Sequence, residues 1–183
     1  PDLVQYTLKG EPADAPRLRL FDAGGNPQAL QVSSAVAGDG NLTVSFVTPV
    51  PADGVALFTL RDDGQGTVPA GGLQVTPRGA ALELGNALFT VRLPAECAET
   101  YGKAVPATGL PAPILAFRHG AGPWLGAGRV LSAAPVKALT VKLTAAGPVY
   151  AELRYEIEWA DGGYYRATVQ VIDGVPLAKV YEE

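Results

Sequence analysis

The stretch from 118 to 128, RHGAGPWLGAG, gathers the side chains of this sequence that are best suited to binding chemistry. It contains Arg118, the only histidine of the chain at His119 and one of its two tryptophans at Trp124, and Arg129 follows directly. An exposed indole stacks against the C–H face of a pyranose ring, and guanidinium and imidazole groups hydrogen-bond to its hydroxyls. These four residues are therefore the candidate ligand-binding set, and their pattern indicates a saccharide site.

The same stretch is also typical of a sharp corner between strands. Its four glycines let the chain turn, and tryptophan is heavily buried on average. In this second interpretation, Trp124 closes the end of a β-sandwich, and Arg118 or His119 faces a cleft. We expect the corner, and the exposure of the Trp124 indole distinguishes the two interpretations.

A phosphate-binding loop is the third interpretation of these glycines, and the sequence argues against it. Such a loop presents backbone N–H groups and the N-terminus of a helix to the anion. Here the glycines precede RVLSAAPVKALTVKL at 129–143, which predicts strand, proline and strand, and no Gly-Lys-Ser/Thr is present. No nucleotide cofactor is expected.

Other catalytic arrangements have little support in the sequence. Glu152, Glu156 and Glu158 share one face of a predicted strand, where alternating charges are typical of the solvated side of a sheet. Cys97 is the single cysteine, and only His119 is available as a partner for a nucleophile. Neither metal-ligand spacing nor a Gly-x-Ser-x-Gly elbow occurs. We predict no catalytic residue, no metal site and no cofactor in this chain.

The composition limits the classes of protein that this chain can belong to. It has 183 residues, of which 48% are hydrophobic and 17% are charged, so it is long enough to bury a core and unlike a disordered tail. The net charge of -4 argues against a nucleic-acid-binding surface, and no apolar run approaches the roughly 20 residues of a membrane helix. The chain has no methionine, so we expect it to start inside a longer gene product, and its many glycines and prolines favour a secreted or cell-surface protein.

Short alternating runs between frequent turn residues predict an all-β fold. The chain has 22 glycines and 16 prolines, and apolar residues alternate with polar ones in runs such as 42–46, 87–93 and 139–143. This pattern indicates an antiparallel β-sandwich or barrel whose sheets each have one solvent-exposed face. It also predicts that residues 130–145 form no long helix. The predicted core consists of Leu20, Val44, Phe46, Leu57, Phe89, Val91, Leu139, Val141, Leu153, Tyr155, Ile157, Val169 and Val171.

The clearest predicted element is a hairpin over 149–173. A three-residue loop at 160–162 places Ile157 opposite Tyr165, with both side chains on the buried face, whereas a two-residue loop would bury the polar face. The three-residue loop needs Gly162 in the left-handed region, and it sets Glu156 opposite Arg166 as a surface ion pair.

A polar, glycine-rich stretch at 62–72 lacks periodicity and predicts a boundary between two β modules. We place the first module at residues 1–66, as a small barrel or sandwich. The second module then covers residues 67–183, as a larger and possibly incomplete β-sandwich.

Loose motifs made of turn and core residues occur along the chain in a fixed order. They are D-x-x-G-x-P at 22–27 with Gln31-Val32 after it, V-P-A-x-G at 50–54, G-x-G-x-W-x-G-x-G at 120–128, G-P-V at 147–149 and D-G-x-Y-Y at 161–165. With these segments the chain resembles the N-terminal half of large carbohydrate-active enzymes, in particular exo-rhamnogalacturonan lyase-like proteins. None of the motifs is a catalytic signature.

The resemblance implies a small β-barrel module followed by part of a galactose-mutarotase-like β-sandwich, with an α/α toroid beyond it. It implies a bacterial parent protein that processes polysaccharides as a lyase or a glycoside hydrolase, with its catalytic residues mostly outside modules of this kind. We therefore expect a non-catalytic portion that contributes architecture or binds carbohydrate, acidic plant polysaccharides included. The alternative is an extracellular structural or protein-interaction β module without affinity for carbohydrate.

Overall fold

The structure, a computed structural model, describes residues 2–33, 40–49 and 53–183, and it confirms the all-β prediction. In these ranges fifteen strands form four antiparallel sheets, and the two short 3-10 helices cover Pro12–Arg17 and Ala107–Gly109. No helix in the described ranges is long and apolar enough to cross a membrane. The first three residues of the V-P-A-x-G motif, 50–52, lie outside the described residues.

The chain divides into two compact units. The N-terminal unit comprises Pro1–Gly71 together with Gly147–Val149, and the C-terminal unit comprises Gly72–Ala146 together with Tyr150–Glu183. The predicted boundary between residues 66 and 67 and the mutarotase-like character of the second module stay predictions.

Two three-stranded sheets form the N-terminal unit. One has the order β1-β5-β4, with β1 at Asp2–Lys9, β5 at Asn41–Thr48 and β4 at Gln31–Ser33. The other has the order β3-β2-β6, with β3 at Pro27–Gln28, β2 at Leu18–Asp22 and β6 at Phe58–Asp62. The small core of this unit contains Leu18 and Leu20 on β2, Leu42 and Val44 on β5, and Leu30 directly before β4.

For this unit, the prediction of one core residue is wrong, and a second predicted core residue lies at the margin of the core. Leu57 is 67% exposed, because it precedes β6 and belongs to no strand that could turn it toward a facing sheet. Phe46 is half-buried and packs against Phe58, with 4.9 Å between the ring centroids.

The C-terminal unit is a sandwich of a four-stranded and a five-stranded sheet. The smaller sheet has the order β11-β9-β8-β7, formed by β11 at Ala116–His119, β9 at Phe89–Pro94, β8 at Ala81–Gly85 and β7 at Gln74–Arg78. The larger has the order β10-β12-β13-β14-β15, formed by β10 at Cys97–Pro106, β12 at Pro135–Ala146, β13 at Tyr150–Trp159, β14 at Tyr164–Ile172 and β15 at Ala178–Glu182.

One continuous apolar core fills the space between these two sheets. Both sheets contribute to it, and its residues include Leu84 and Val91 from the smaller sheet and Val141, Leu153 and Val169 from the larger, all at most 2% exposed. The nine predicted core residues of this unit are all buried. Alternation of apolar and polar residues therefore predicted this core well, since each strand has one face on the partner sheet.

The predicted hairpin between β13 and β14 is confirmed in register and turn. Ile157 pairs with Tyr165, and the turn residue Gly162 has a φ of 99°, in the region that favours glycine. Glu156 lies opposite Arg166, and its carboxylate is 2.8 Å from the guanidinium. The alternation of apolar and polar residues determines this register, because a shift by one residue would expose the buried face.

Three buried or half-buried tyrosines of the C-terminal unit predict how the fold responds to alkali. Burial raises the pKa of Tyr101 to about 12 and, assisted by the hydrogen bond to Glu182, that of Tyr165 to about 12. Burial also raises the pKa of Tyr155, whose hydroxyl donates to Pro111 O at 2.8 Å.

We expect the unit to lose stability between about pH 10 and pH 12, because unfolded tyrosine ionises near pH 10 while these folded tyrosines stay neutral. Their contribution is complete below pH 10 and is lost as the pH rises through the folded pKa. Absorbance at 295 nm and circular dichroism, followed together, should show these tyrosines ionising late and with loss of structure. Denatured protein is the control. Full ionisation of all seven tyrosines near pH 10 with the fold intact would contradict the expectation.

Candidate functional site

The four-stranded sheet turns its second face away from the core, and four charged side chains meet on that face. Arg78 lies on β7, Glu83 on β8, Arg92 on β9 and Arg118 on β11, so each strand provides one of them. Glu83 and Arg92 are register partners, and successive side chains of a strand alternate between faces. We call this set the arginine face.

Glu83 is the buried centre of the arginine face. Its side chain is 9% exposed, and its Oε1 accepts hydrogen bonds from Arg92 Nη2 at 2.6 Å and from Arg92 Nε at 3.2 Å. Its Oε2 lies 3.9 Å from Arg78 Nε and 4.0 Å from Arg118 Nη2, too far for hydrogen bonds. Three guanidinium groups therefore surround one carboxylate, which is firmly bound only by Arg92.

Arg118 has donors that no group in the described part of the chain accepts. Its Nε is buried and has no hydrogen-bond partner there, while its side chain as a whole remains 33% exposed. A buried donor without an acceptor is costly. The side chain is held instead by the long ion pair with Glu83 and by an aromatic contact.

That aromatic contact comes from the loop that follows β11. Phe117 and Leu125 exchange backbone hydrogen bonds of 3.0 and 2.8 Å, so the loop folds back on its own strand. The half-buried indole of Trp124 then lies against two guanidinium groups, with its ring centroid 3.9 Å from Arg92 Cζ and 4.7 Å from Arg118 Cζ. Such cation–π contacts are worth about 0.5–2 kcal/mol each, depending on desolvation.

The loop is thus a corner, as expected from its glycines, but its tryptophan does not close the end of the sandwich. The Trp124 indole is absent from the apolar core and contacts charged groups on the outer face. Trp124 as a whole residue is half-buried and not enclosed in the core.

A polar cavity of about 380 Å³ opens beside these residues. Its lining includes Gln74, Thr76, Arg78, Glu83, Thr90 and Arg118. Gly85 also lines it, and a Cβ at that position would lie 2.5 Å from Thr90 Oγ1 and 2.8 Å from Phe89 O. Glycine is therefore required there, because any side chain would collide with β9.

The structure separates the four residues that the sequence grouped together. Arg118 and Trp124 meet on the arginine face, but His119, the next residue along β11, points to the opposite face of the sheet. There its exposed ring lies 5.3 Å from the ring of Phe89. Arg129 is exposed and lines a different cavity, next to Val130 and Leu131.

Sequence reasoning missed three members of the arginine face, namely Arg78, Glu83 and Arg92. The available signal was the alternation of residues along each strand, because Glu83 lies between two core leucines and Arg92 between Val91 and Leu93. This alternation assigns a residue to the outer face of its own strand. It does not say which strands are neighbours, and that information is needed to bring the four charges together.

The arrangement is suited to binding. Among the described residues, the only carboxylate that lines the cavity is Glu83, and Arg92 occupies its Oε1, so it is a poor general base. In the part of the chain that the structure describes, no group of three or more His, Cys, Asp or Glu is placed to hold a metal ion. The cavity offers guanidinium, hydroxyl and amide groups, which can hydrogen-bond to a polar ligand.

Comparison with known protein families, curated proteins and solved structures finds no match for this chain. Function is therefore inferred from the geometry of the arginine face.

The central position of Glu83 predicts that Glu83→Gln destabilises the C-terminal unit by about 1.5–3 kcal/mol, the range for hydrogen bonds to charged groups. The variant keeps the volume but leaves three guanidinium groups without a counter-charge. Both tryptophans, Trp124 and Trp159, lie in this unit, so urea unfolding followed by tryptophan fluorescence reports on it specifically.

The matched control is Glu156→Gln, which removes the carboxylate of the more exposed pair with Arg166. It should cost about 0.2–1 kcal/mol. Equal losses in the two variants would show that Glu83 has no special structural role.

Proposed function

We propose that this chain is a non-catalytic, glycan-binding portion of a secreted or cell-surface polysaccharide-processing protein, and that the arginine face with Trp124 is its saccharide contact. The observation that carries the proposal is the position of Trp124, a half-buried residue whose ring lies against Arg92 and Arg118, with Arg118 also lining a polar cavity.

The chemistry of this surface fits a sugar better than an apolar ligand. An indole binds the C–H face of a pyranose ring, and side chains with several donors and acceptors bind its hydroxyls. Gln74, Thr76 and Thr90 line the cavity, and none of these three donates a side-chain hydrogen bond to another described residue. A ligand with several hydroxyl groups would satisfy them.

The motif order supports the same class of protein. The Trp124 loop is the G-x-G-x-W-x-G-x-G segment through which the chain resembles the β modules of exo-rhamnogalacturonan lyase-like enzymes. A lyase or a glycoside hydrolase as the parent protein is part of the proposal.

The binding test compares Trp124→Ala with the unchanged chain on rhamnogalacturonan fragments and a panel of neutral oligosaccharides, by calorimetry. We expect affinity to fall about tenfold or more, since truncating a central aromatic contact commonly costs over 1.4 kcal/mol. The matched control is Tyr164→Ala, because Tyr164 also stacks on an arginine, Arg166 at 4.6 Å, but on the other sheet.

Tyr164→Ala should leave binding unchanged. If both substitutions lowered the affinity equally, the loss would reflect a general change of the surface and would contradict a specific role of Trp124. If the unchanged chain binds no member of the panel, the glycan-binding proposal is wrong.

The non-catalytic part of the proposal has its own test. Eliminative cleavage needs a base, an acid and a group that neutralises a carboxylate, and hydrolysis needs two carboxyl groups across a cleft. The arginine face offers neutralising groups and one occupied carboxylate. We expect no release of unsaturated uronates at 235 nm and no new reducing ends from rhamnogalacturonan or neutral glycans. Robust turnover that disappears in His119→Ala would instead locate an active site at the Trp124 loop.

One observation favours the alternative, an interaction module without affinity for carbohydrate. A second cavity of the C-terminal unit, about 460 Å³ in volume, is lined largely by apolar groups that include Trp159 and Val180. Two apolar residues of this lining are exposed, Leu131 at 87% and Val180 at 43%. Exposed apolar side chains that lie together are typical of surfaces that bind other proteins. If the chain binds no glycan in the calorimetric test, the interaction module becomes the favoured function.

A further inference from the structure

We propose that Arg78 and Arg118 form a subsite for a single oxyanion, a carboxylate or sulfate substituent carried by the ligand of the arginine face. The inference rests on the proposed function for the nature of the molecule that carries the anion. The subsite itself rests on the charges and distances around Glu83.

The first support is an imbalance of charge. Three guanidinium groups lie within 4.0 Å of one carboxylate, so the cluster carries two uncompensated positive charges. In the part of the chain that the structure describes, Glu83 is the only acidic residue that lines the cavity. A cluster of this kind attracts an anion, and the attraction is stronger where solvent is partly excluded.

The second support is a difference between the three arginines. Arg92 gives two donors to Glu83 Oε1, whereas Arg78 and Arg118 stay 3.9 and 4.0 Å from Oε2. Neither Arg78 nor Arg118 donates a hydrogen bond to any residue that the structure describes. Their donor groups are available, and both arginines line the same cavity.

The third support is the buried Nε of Arg118, which has no acceptor in the described residues. A guanidinium binds a carboxylate or sulfate through two parallel hydrogen bonds, and Nε is commonly one of the two donors. Because this atom is closed to solvent, a small rotation of the Arg118 side chain has to accompany binding before an oxyanion can supply the acceptor that Nε lacks. The one described carboxylate of the cavity, Glu83, does not bond to this atom.

Glu83 also weakens the attraction of the subsite for further anions. Its Oε2 carries negative charge and lies close to both free guanidinium groups, so it lowers the net positive charge that an anion meets there. Its bonds to Arg92 keep that arginine under Trp124. The geometry thus pairs one stacking position at the indole with one charged position at Arg78 and Arg118, as a sugar with a single acidic substituent requires.

The test uses the full chain and four ligands: a galacturonate oligosaccharide, its carboxyl-reduced form, a sulfated galactan oligosaccharide and inorganic sulfate. Calorimetry gives the affinities, and the NMR signal of the Arg118 Nε–H group reports the contact directly. We expect the acidic oligosaccharides to bind about tenfold or more tightly than the reduced form, with affinity falling as NaCl rises.

Arg78→Ala is the decisive variant, because Arg78 makes no ring contact with Trp124 and is 64% exposed, so its loss should leave the fold intact. It should lower the affinity for the acidic ligand much more than the affinity for the reduced form, and so remove most of the preference. Arg118→Lys keeps the charge but loses the Nε donor, and it should lower the preference as well. The control is Arg154→Ala, on the wet face of the other sheet, which should change nothing.

The outcomes separate the two proposals. Equal binding of the acidic and reduced oligosaccharides would overturn the oxyanion subsite and leave glycan binding standing. A shift of the Arg118 Nε–H signal with inorganic sulfate, without binding of any oligosaccharide, would support the subsite and overturn the proposed function. No response to any of the four ligands would overturn both.

Discussion

The alternation of side chains along strands of the four-stranded sheet is the constraint on which the arginine face depends. Leu84 and Val91 are at most 1% exposed in the sandwich core, and burying such a side chain contributes about 1.5–3 kcal/mol. Glu83 and Arg92 are their neighbours in the chain and must point the other way. The apolar core therefore determines where the charged residues lie, and the register of β8 and β9 places them side by side.

A carboxylate as enclosed as Glu83 is costly unless it is paired and hydrogen-bonded. Arg92 meets this need with two donors, so one arginine would have been sufficient to neutralise it. The other two arginines add charge that the fold does not require, and Arg118 leaves a buried donor unsatisfied. Local violations of the usual rules for burial are expected at functional sites, which is why this surface carries the binding proposals.

The sequence predicted those parts of the fold that depend on one strand or on one hairpin. The β13–β14 register followed from the apolar residues and from Asp161-Gly162 alone, because a hairpin is local and a one-residue shift exposes its buried face. Leu57 was assigned wrongly because an apolar residue near a strand was counted as part of it, although β6 begins at Phe58. The candidate site was only half predicted. Arg118 and Trp124 are close in sequence, whereas Glu83 and Arg92 reach them through the pairing of three strands.

The two interpretations of the glycine-rich loop are not exclusive in this structure. A corner is needed to bring the chain back after β11, and the backbone bonds between Phe117 and Leu125 make that corner. The same bonds place Trp124, the residue before Leu125, on the outer face of the sheet, where the guanidinium groups of Arg92 and Arg118 lie against its ring. An indole in such a position is held by cation–π contacts and not by burial in the core. The turn geometry that a purely structural interpretation requires is therefore also what places the tryptophan on the outer face beside the arginines.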